Sequence, residues 1–300
     1  MPMTAELEAS RPRCALLGNY SIEMTARDIA QLEEAADLIP PDTRIPITFL
    51  PGETFEMRIA AAKRVRELGF LPIPHISARR LRSQQELEDF LCGLQQEVGT
   101  DHAFVVAGDP AQPMGPYEDA LAIIQSGLLA KYGIRRIGIA GYPEGHPDIA
   151  DEALWRAKLQ KQAALLERGH EFVVVTQFAF AAQPVLDWLE GVRAAGIHAL
   201  VRVGVPGPAS VKRLLAFAAR CGVAASGNVM KKYGLSLTKL LSTAGPDRLI
   251  EDYAHGLDTV RHGQVLLHFY PFGGLRATAE WARDFRLGSR RSLSEPTNNL

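Results

Sequence analysis

A chain of 300 residues, 47% hydrophobic and 22% charged, carries enough apolar material for one large core, which excludes the fibrous and disordered classes. Its 33 Lys and Arg nearly balance its 34 Asp and Glu, so there is no broad basic field for nucleic acid or an anionic membrane surface. Three widely spaced cysteines, Cys14, Cys92 and Cys221, draw neither a disulfide framework nor a Cys-x-x-Cys metal site and fit a reducing cytoplasm, and no apolar run approaches the roughly 20 residues of a membrane helix.

In chain order, β-like segments alternate with amphipathic helical stretches. Strands are expected at Cys14–Ile22, Ile45–Phe49, Leu71–Ile76, His102–Ala107, Arg136–Ala140, Glu171–Gln177, Ala199–Val203 and Val265–Phe269. Helices are expected at Ala26–Ala36, Glu53–Glu67, Ser83–Glu97, Pro116–Lys131, Ala153–Arg168, Pro184–Ala195, Pro208–Ala219 and Pro246–His262, with Leu275–Leu287 closing the series. Ser83 and Glu86 stand at capping-box spacing, and Pro184, Pro208 and Pro246 suit a first helical turn. Eight such β/α units predict a single (β/α)8 TIM barrel over residues 13–287, between flexible ends at 1–12 and 288–300. The glycine-bearing stretch Cys221–Ser242 reads as an elaborated loop over the barrel mouth.

A parallel barrel carries its reactive groups at the carboxyl ends of its strands. At that end the sequence presents Glu23, Thr48, His75, Gly108-Asp109, Tyr142 with His146, and Thr176-Gln177, on six successive strands. Singly, each has an ordinary explanation: a solvated acid, a core histidine, a turn aspartate, a buried aromatic. Together, polar tips at one end are costly to bury without partners, and a shared polar ligand explains them economically. There is no Gly-x-Gly-x-x-Gly, no phosphate-binding Gly-x4-Gly-Lys-[Ser/Thr] and no Gly-x-Ser-x-Gly elbow. No metal site is expected, and Lys158 and Lys161 read as a solvated helix face.

The run Ala140-Gly141-Tyr142-Pro143-Glu144-Gly145-His146-Pro147 resembles the Ala-x-Tyr-Pro-Glu-x-His-Pro signature of the methylenetetrahydrofolate reductase family. Pro74-His75-Ile76-Ser77, Gly108-Asp109, Thr176-Gln177, Val205-Pro206-Gly207-Pro208 and His268-Phe269-Tyr270 are similar to further motifs of that family, in the same order. The resemblance implies a barrel that binds FAD, accepts hydride from NADH or NADPH and reduces 5,10-methylenetetrahydrofolate to the 5-methyl form, in a cytoplasmic homo-oligomer. It implies that Glu23 is the general acid and that Asp109 lies beside flavin and pterin. Thr48, His75, Gly108, Ala140, Tyr142 and His146 would contact FAD, while Gln177 and Arg276 would meet the substrate. The chain departs from the family pattern at Met24-Thr25-Ala26 after the acid, at Ala107 before Gly-Asp, at Leu165 where a lysine is expected, and at Tyr270–Arg276. These departures leave two other readings open: a flavin-free folate-linked one-carbon transferase, and a non-catalytic folate- or flavin-binding partner subunit.

Overall fold

The computed structural model describes residues 16–221 and 243–288. Eight parallel strands close into a barrel: β1 (Ser21–Ile22 and Met24–Thr25, parted at Glu23), β2 (Arg44–Thr48), β3 (Leu71–Ser77), β4 (His102–Val106), β5 (Arg136–Gly141), β6 (Glu171–Phe178), β7 (Leu200–Pro206) and β8 (Val265–Tyr270). Closure rests on β1, whose Ser21 and Ile22 pair with His268 and Phe269 of β8 while Met24 and Thr25 pair with Ile47 and Thr48 of β2. Around the strands stand α1 (Ile29–Ala35), α2 (Phe55–Glu67), α3 (Gln84–Gly93), α4 (Ala120–Gln125), α5 (Asp151–Glu167), α6 (Ala182–Ala194), α7 (Val211–Arg220), α8 (Asp247–Gly256) and α9 (Leu275–Arg286). None of the described helices is long and apolar enough to cross a membrane.

The strands alternate as the period of two requires. Ile45, Ile47, Ala103, Val105, Ile137, Ile139, Val174, Val201, Val203, Leu267 and Phe269 are each at most 1% exposed and pack outward against the helices, leaving Arg44, Pro46, Thr48, His75, Phe104 and Val173 for the lumen. Side chains cap the helices that follow: Thr54 accepts from the Met57 N–H, Asp119 from the Ala122 N–H and Ser210 from the Arg213 N–H.

The boundaries depart from the sequence reading where local chemistry intervenes. Leu16 and Leu17 are helical, so β1 begins only at Ser21; an apolar run carries no sign of which element it joins. The predicted capping box is shifted: Ser83 accepts from the Glu86 N–H, but the Glu86 carboxylate accepts from Arg82. That helix gives way to a π turn at Leu94–Val98, and the predicted Pro116–Lys131 helix divides at Ser126-Gly127 into α4 and Leu128–Lys131. Pro208 does not open a helix, because Ala209–Ser210 pairs with Thr243–Ala244 in a small antiparallel ladder and α7 starts at Val211. The predicted Pro246–His262 helix likewise splits, and Asp258 caps the short Thr259–His262 turn through the Val260 and Arg261 N–H groups. Of the predicted mouth loop Cys221–Ser242, only Cys221 lies within the described residues, and of the predicted flexible ends only Gly288 does.

Strand β6 bulges between Val175 and Phe178, and this brings its backbone against Gly204 of β7. A Cβ at Gly204 would stand 2.6 Å from the Thr176 carbonyl oxygen and 2.8 Å from the Gln177 carbonyl, both backbone atoms with nowhere to go. Gly204→Ala is therefore expected to destabilise the barrel by about 1–3 kcal/mol. Gly93→Ala, whose Cβ meets only the end of the flexible Ile59 side chain, should be near neutral in the same thermal-denaturation series.

Candidate active site

Glu23 occupies the break in β1. Its N–H donates to the Phe269 carbonyl at 3.0 Å, which keeps the chain in register with β8 and turns the side chain into the lumen. There the carboxylate lies 3.6 Å from His268 Nε2 and 3.8 Å from His75 Nε2, with the glutamate side chain one-fifth exposed and both imidazoles buried. On its other side His268 Nδ1 is 2.9 Å from Ser21 Oγ. A polar line Ser21–His268–Glu23 thus crosses from one strand to its neighbour and back. Period two explains it, since Ser21 and Glu23 share a face of β1, as His268 and Tyr270 do of β8.

The surroundings fix the protonation of these groups. Burial favours the neutral carboxyl, but a hydrogen bond to His268 and the two imidazoles outweigh it and hold Glu23 below the usual glutamate range. His75 is pushed down to about 4 by burial, more than Glu23 raises it. Its ring rests against Phe104 with centroids 4.6 Å apart, and its carbonyl accepts from the buried Arg58 guanidinium. Arg58 in turn is clasped by the Phe49 and Phe90 rings at 4.0 and 4.3 Å. Burial and the negative charge of Glu23 push the Tyr270 phenol well up, and its hydroxyl donates to the Thr176 carbonyl at 3.0 Å. The Thr48 hydroxyl, close enough to lower the Glu23 pKa, is itself buried without a hydrogen-bond partner.

The structure gathers Glu23, Thr48 and His75 at the centre of the mouth and joins to them Ser21, His268 and Tyr270. Tyr142 and His146 stand edge to face, 5.2 Å apart, on the turn after β5, where His146 Nδ1 accepts from the Asp148 N–H. Ala140, Tyr142 and Gly145 line a cavity of about 630 Å³ running outward between β4, β5 and α5. Gly108 takes φ +93°, a conformation open to glycine, and turns the chain at the end of β4 over Ser77.

Asp109 and Arg276 are placed elsewhere. The Asp109 side chain is 68% exposed at the rim, where its carboxylate accepts from Arg80 Nε at 2.9 Å. Arg276 donates to Glu280 of its own helix and to the Glu34 carbonyl of α1, among the outer helices. Gln177 folds its amide oxygen back onto the Phe178 N–H at the bulge. Arg58 and Arg80 carry no sequence motif and emerge only from the packing.

One sequence reading is overturned. Lys158 does not face solvent: it is 4% exposed, with its ammonium 3.7 Å and 4.2 Å from the Trp155 and Trp188 ring centroids. Burial, reinforced by Lys161, lowers its pKa to about 7. Both lysines line the outward cavity.

Because His75 is held at about 4 against 6.5 in an exposed chain, the unfolded state binds one more proton between those pH values, and stability is lost as pH falls through that window. Glu23, depressed as well, acts in the same direction at lower pH. The stability difference between the parent protein and His75→Asn should therefore shrink by up to about 1.4 kcal/mol per pH unit between roughly pH 6.5 and 4. Urea unfolding across that range measures it; a pH-independent difference would place the imidazole in water.

The methylenetetrahydrofolate reductase family profile matches residues 41–245. Methylenetetrahydrofolate reductase 1 of Schizosaccharomyces pombe is 30% identical over 129 residues, 40% of this chain and 20% of that protein. Methylenetetrahydrofolate reductase 2 of Saccharomyces cerevisiae is 27% identical over 115 residues, 36% of this chain and 19% of that protein. The matched segment thus spans about a fifth of the length of these curated relatives. Among solved structures, a Clostridium thermocellum protein described as binding two copies of 5-methyl-5,6,7,8-tetrahydrofolic acid superposes with a TM-score of 0.57 at 14% identity, covering 90% of this chain and 95% of that one, a likeness of fold. With a profile match across more than half of its length, the chain belongs to the methylenetetrahydrofolate reductase family.

Proposed function

We propose that the barrel is a flavin-dependent reductase of a one-carbon group carried on tetrahydrofolate, with FAD at the strand ends and NADH or NADPH as electron donor. The observation that carries this reading is the Glu23 carboxylate set between two buried imidazoles at the centre of the mouth. Reduction of a methylene bridge between two nitrogens requires a proton at the nitrogen that leaves, and Glu23 is the group positioned to deliver it. The buried Ser21–His268 pair holds the carboxylate side of that exchange in place.

The residues fit a bound flavin nucleotide. The Thr48 hydroxyl, buried beside Glu23 and without a hydrogen-bond partner of good geometry, supplies a polar contact at the strand ends. Tyr142 and Ala140 line the way outward, and Lys161 stands in the cavity as a cation for a diphosphate. FAD when bound supplies the hydride chemistry. The protein's part is to bind, orient and protonate. Without ligand Glu23 is ionised at neutral pH. Covering its remaining solvent-exposed fifth with planar rings favours the protonated form, so ligand binding is expected to draw in a proton. Asp109, at the rim and paired with Arg80, would favour a cationic pterin only by exchanging that guanidinium for the ligand.

The purified protein should carry a flavin absorption band that bleaches anaerobically with NADH or NADPH. Absence of both bound flavin and nicotinamide oxidation would instead favour a flavin-free one-carbon transferase. Glu23→Gln should leave flavin reduction by the nicotinamide within about threefold while slowing folate reduction by roughly 10²–10⁴-fold. Equal loss in both half-reactions would reject the role given to Glu23.

A further inference from the structure

The opposite end of the barrel holds a second cavity, of about 250 Å³, that the proposed chemistry does not use. It opens at the amino ends of the strands, where Arg44, His102, Arg136, Glu171 and Leu200 are the first residues of β2, β4, β5, β6 and β7. Its walls are apolar, formed by Pro46, Ile73, Phe104, Val173, Val175 and Leu200. Gly138 lets the Phe104 ring that forms one wall lie against β5, since a Cβ there would stand 2.3 Å from that ring.

At the edge of this slot lies Arg202, 3% exposed. Its guanidinium donates to the Asn19 carbonyl at 2.8 Å, the Asn19 side-chain oxygen at 3.3 Å, and the Ser21 hydroxyl and Leu267 carbonyl at 3.4 Å, all of them neutral. Among the described residues no carboxylate pairs with it, and burial together with Arg44 depresses its pKa to about 9. The acids nearby are engaged: Asp101 and Glu171 both bind Arg136, and Asp101 also holds His102. Arg44, partly offset by Asp42, shares Asn19 with Arg202. A buried cation held only by neutral acceptors beside an apolar void is costly, and an anion that brings its own apolar body relieves the cost from both sides.

We infer that this amino-end cavity is a binding site for a small aromatic monocarboxylate, its carboxylate against Arg202 and Arg44 and its ring between Phe104, Val173 and Leu200. The volume lies below the roughly 300 Å³ at which pockets for larger ligands begin, which limits the occupant to about one ring. Chemistry selects the same class: a carboxylate matches the guanidinium fork, and the walls offer an aliphatic substituent or ring no polar partner. The site touches Ser21, the residue that bonds His268 from below the reactive carboxylate.

Isothermal titration of the full chain with sodium benzoate, and with benzamide as its neutral isostere, tests the assignment. Benzoate should bind at least tenfold more tightly than benzamide. Arg44→Met should remove most of that difference. Val173→Phe, or Leu200→Phe at the rim should the first variant melt early, should abolish binding of both, while Glu23→Gln leaves it unchanged. Equal affinity for benzoate and benzamide, or benzoate binding that survives a folded slot-filling variant and is lost in Glu23→Gln, would overturn the proposal. Glu6 and Glu8 of the same chain are the alternative source of a carboxylate. An unchanged benzoate affinity in the Glu6→Gln/Glu8→Gln double variant supports a free ligand, and binding seen only in that variant overturns it.

Discussion

The placement of one carboxylate inside a parallel barrel governs much of this structure. A charge taken from water must be met by donors, and Glu23 is met by His268 from β8, the neighbour of β1 in the closed sheet, and by His75 from β3, across β2 on the other side. That meeting depends on β1, the shortest barrel strand, which closes the ring with two residues on each side of Glu23. The glutamate therefore belongs to both problems. Its N–H completes the seam with β8 and its side chain fills the mouth, so closure of the fold and assembly of the site are the same event.

The protein handles its buried cations by a common device. Arg202 donates only to backbone carbonyls and neutral side chains, and Lys158 lies between two indoles. Arg58 donates to the His75 carbonyl, with its Nε left without a partner and Glu53 near enough to raise its pKa. Each is depressed from its usual pKa by burial. Aromatic faces and carbonyl dipoles tolerate a cation at moderate cost without fixing a counterion. Arg58 uses this to hold the His75 carbonyl from behind, so the imidazole that faces Glu23 is positioned by a residue on the helix outside the barrel.

Legibility in the sequence followed the range of the interaction. Strand cores such as Ile45–Thr48 and Val173–Thr176 declare themselves by composition, and the cap Ser83 acts within three residues of itself, whereas the caps Thr54 and Asp119 lie inside stretches that read as helix from Glu53 and Pro116. Helix interruptions were harder: the break at Ser126-Gly127 turns on a Ser126 hydroxyl bonded to the Ile123 carbonyl and on the positive φ of Gly127, and the late start of α7 is set by pairing with Thr243–Ala244. The same holds in the site. Glu23, Thr48 and His75 are visible as strand tips, whereas the pairing of Asp109 with Arg80 joins residues 29 apart. Lys158 was misread for a related reason: Trp155 stands three residues before it on one helix turn, but Trp188, which completes the sandwich, comes from α6.

The mouth is also asymmetric, and the asymmetry bears on what it can hold. On the β6–β8 side Phe178, Phe180, Phe217, Tyr270 and Phe272 interlock, with Phe217 and Phe272 stacked at 4.1 Å, and the Tyr270 hydroxyl donates to the Thr176 carbonyl. On the β4–β5 side the wall falls away into a cavity edged by Arg79, Asp119, Asp151 and Lys161. A ligand matched to both sides is apolar and planar at the end that meets Glu23 and charged at the end that reaches α5. The ionised carboxylate lies at the boundary between these regions, one-fifth exposed, where a ring laid over it would complete its burial. A planar ligand that buries it there would raise its proton affinity against the pull of the histidines beside it.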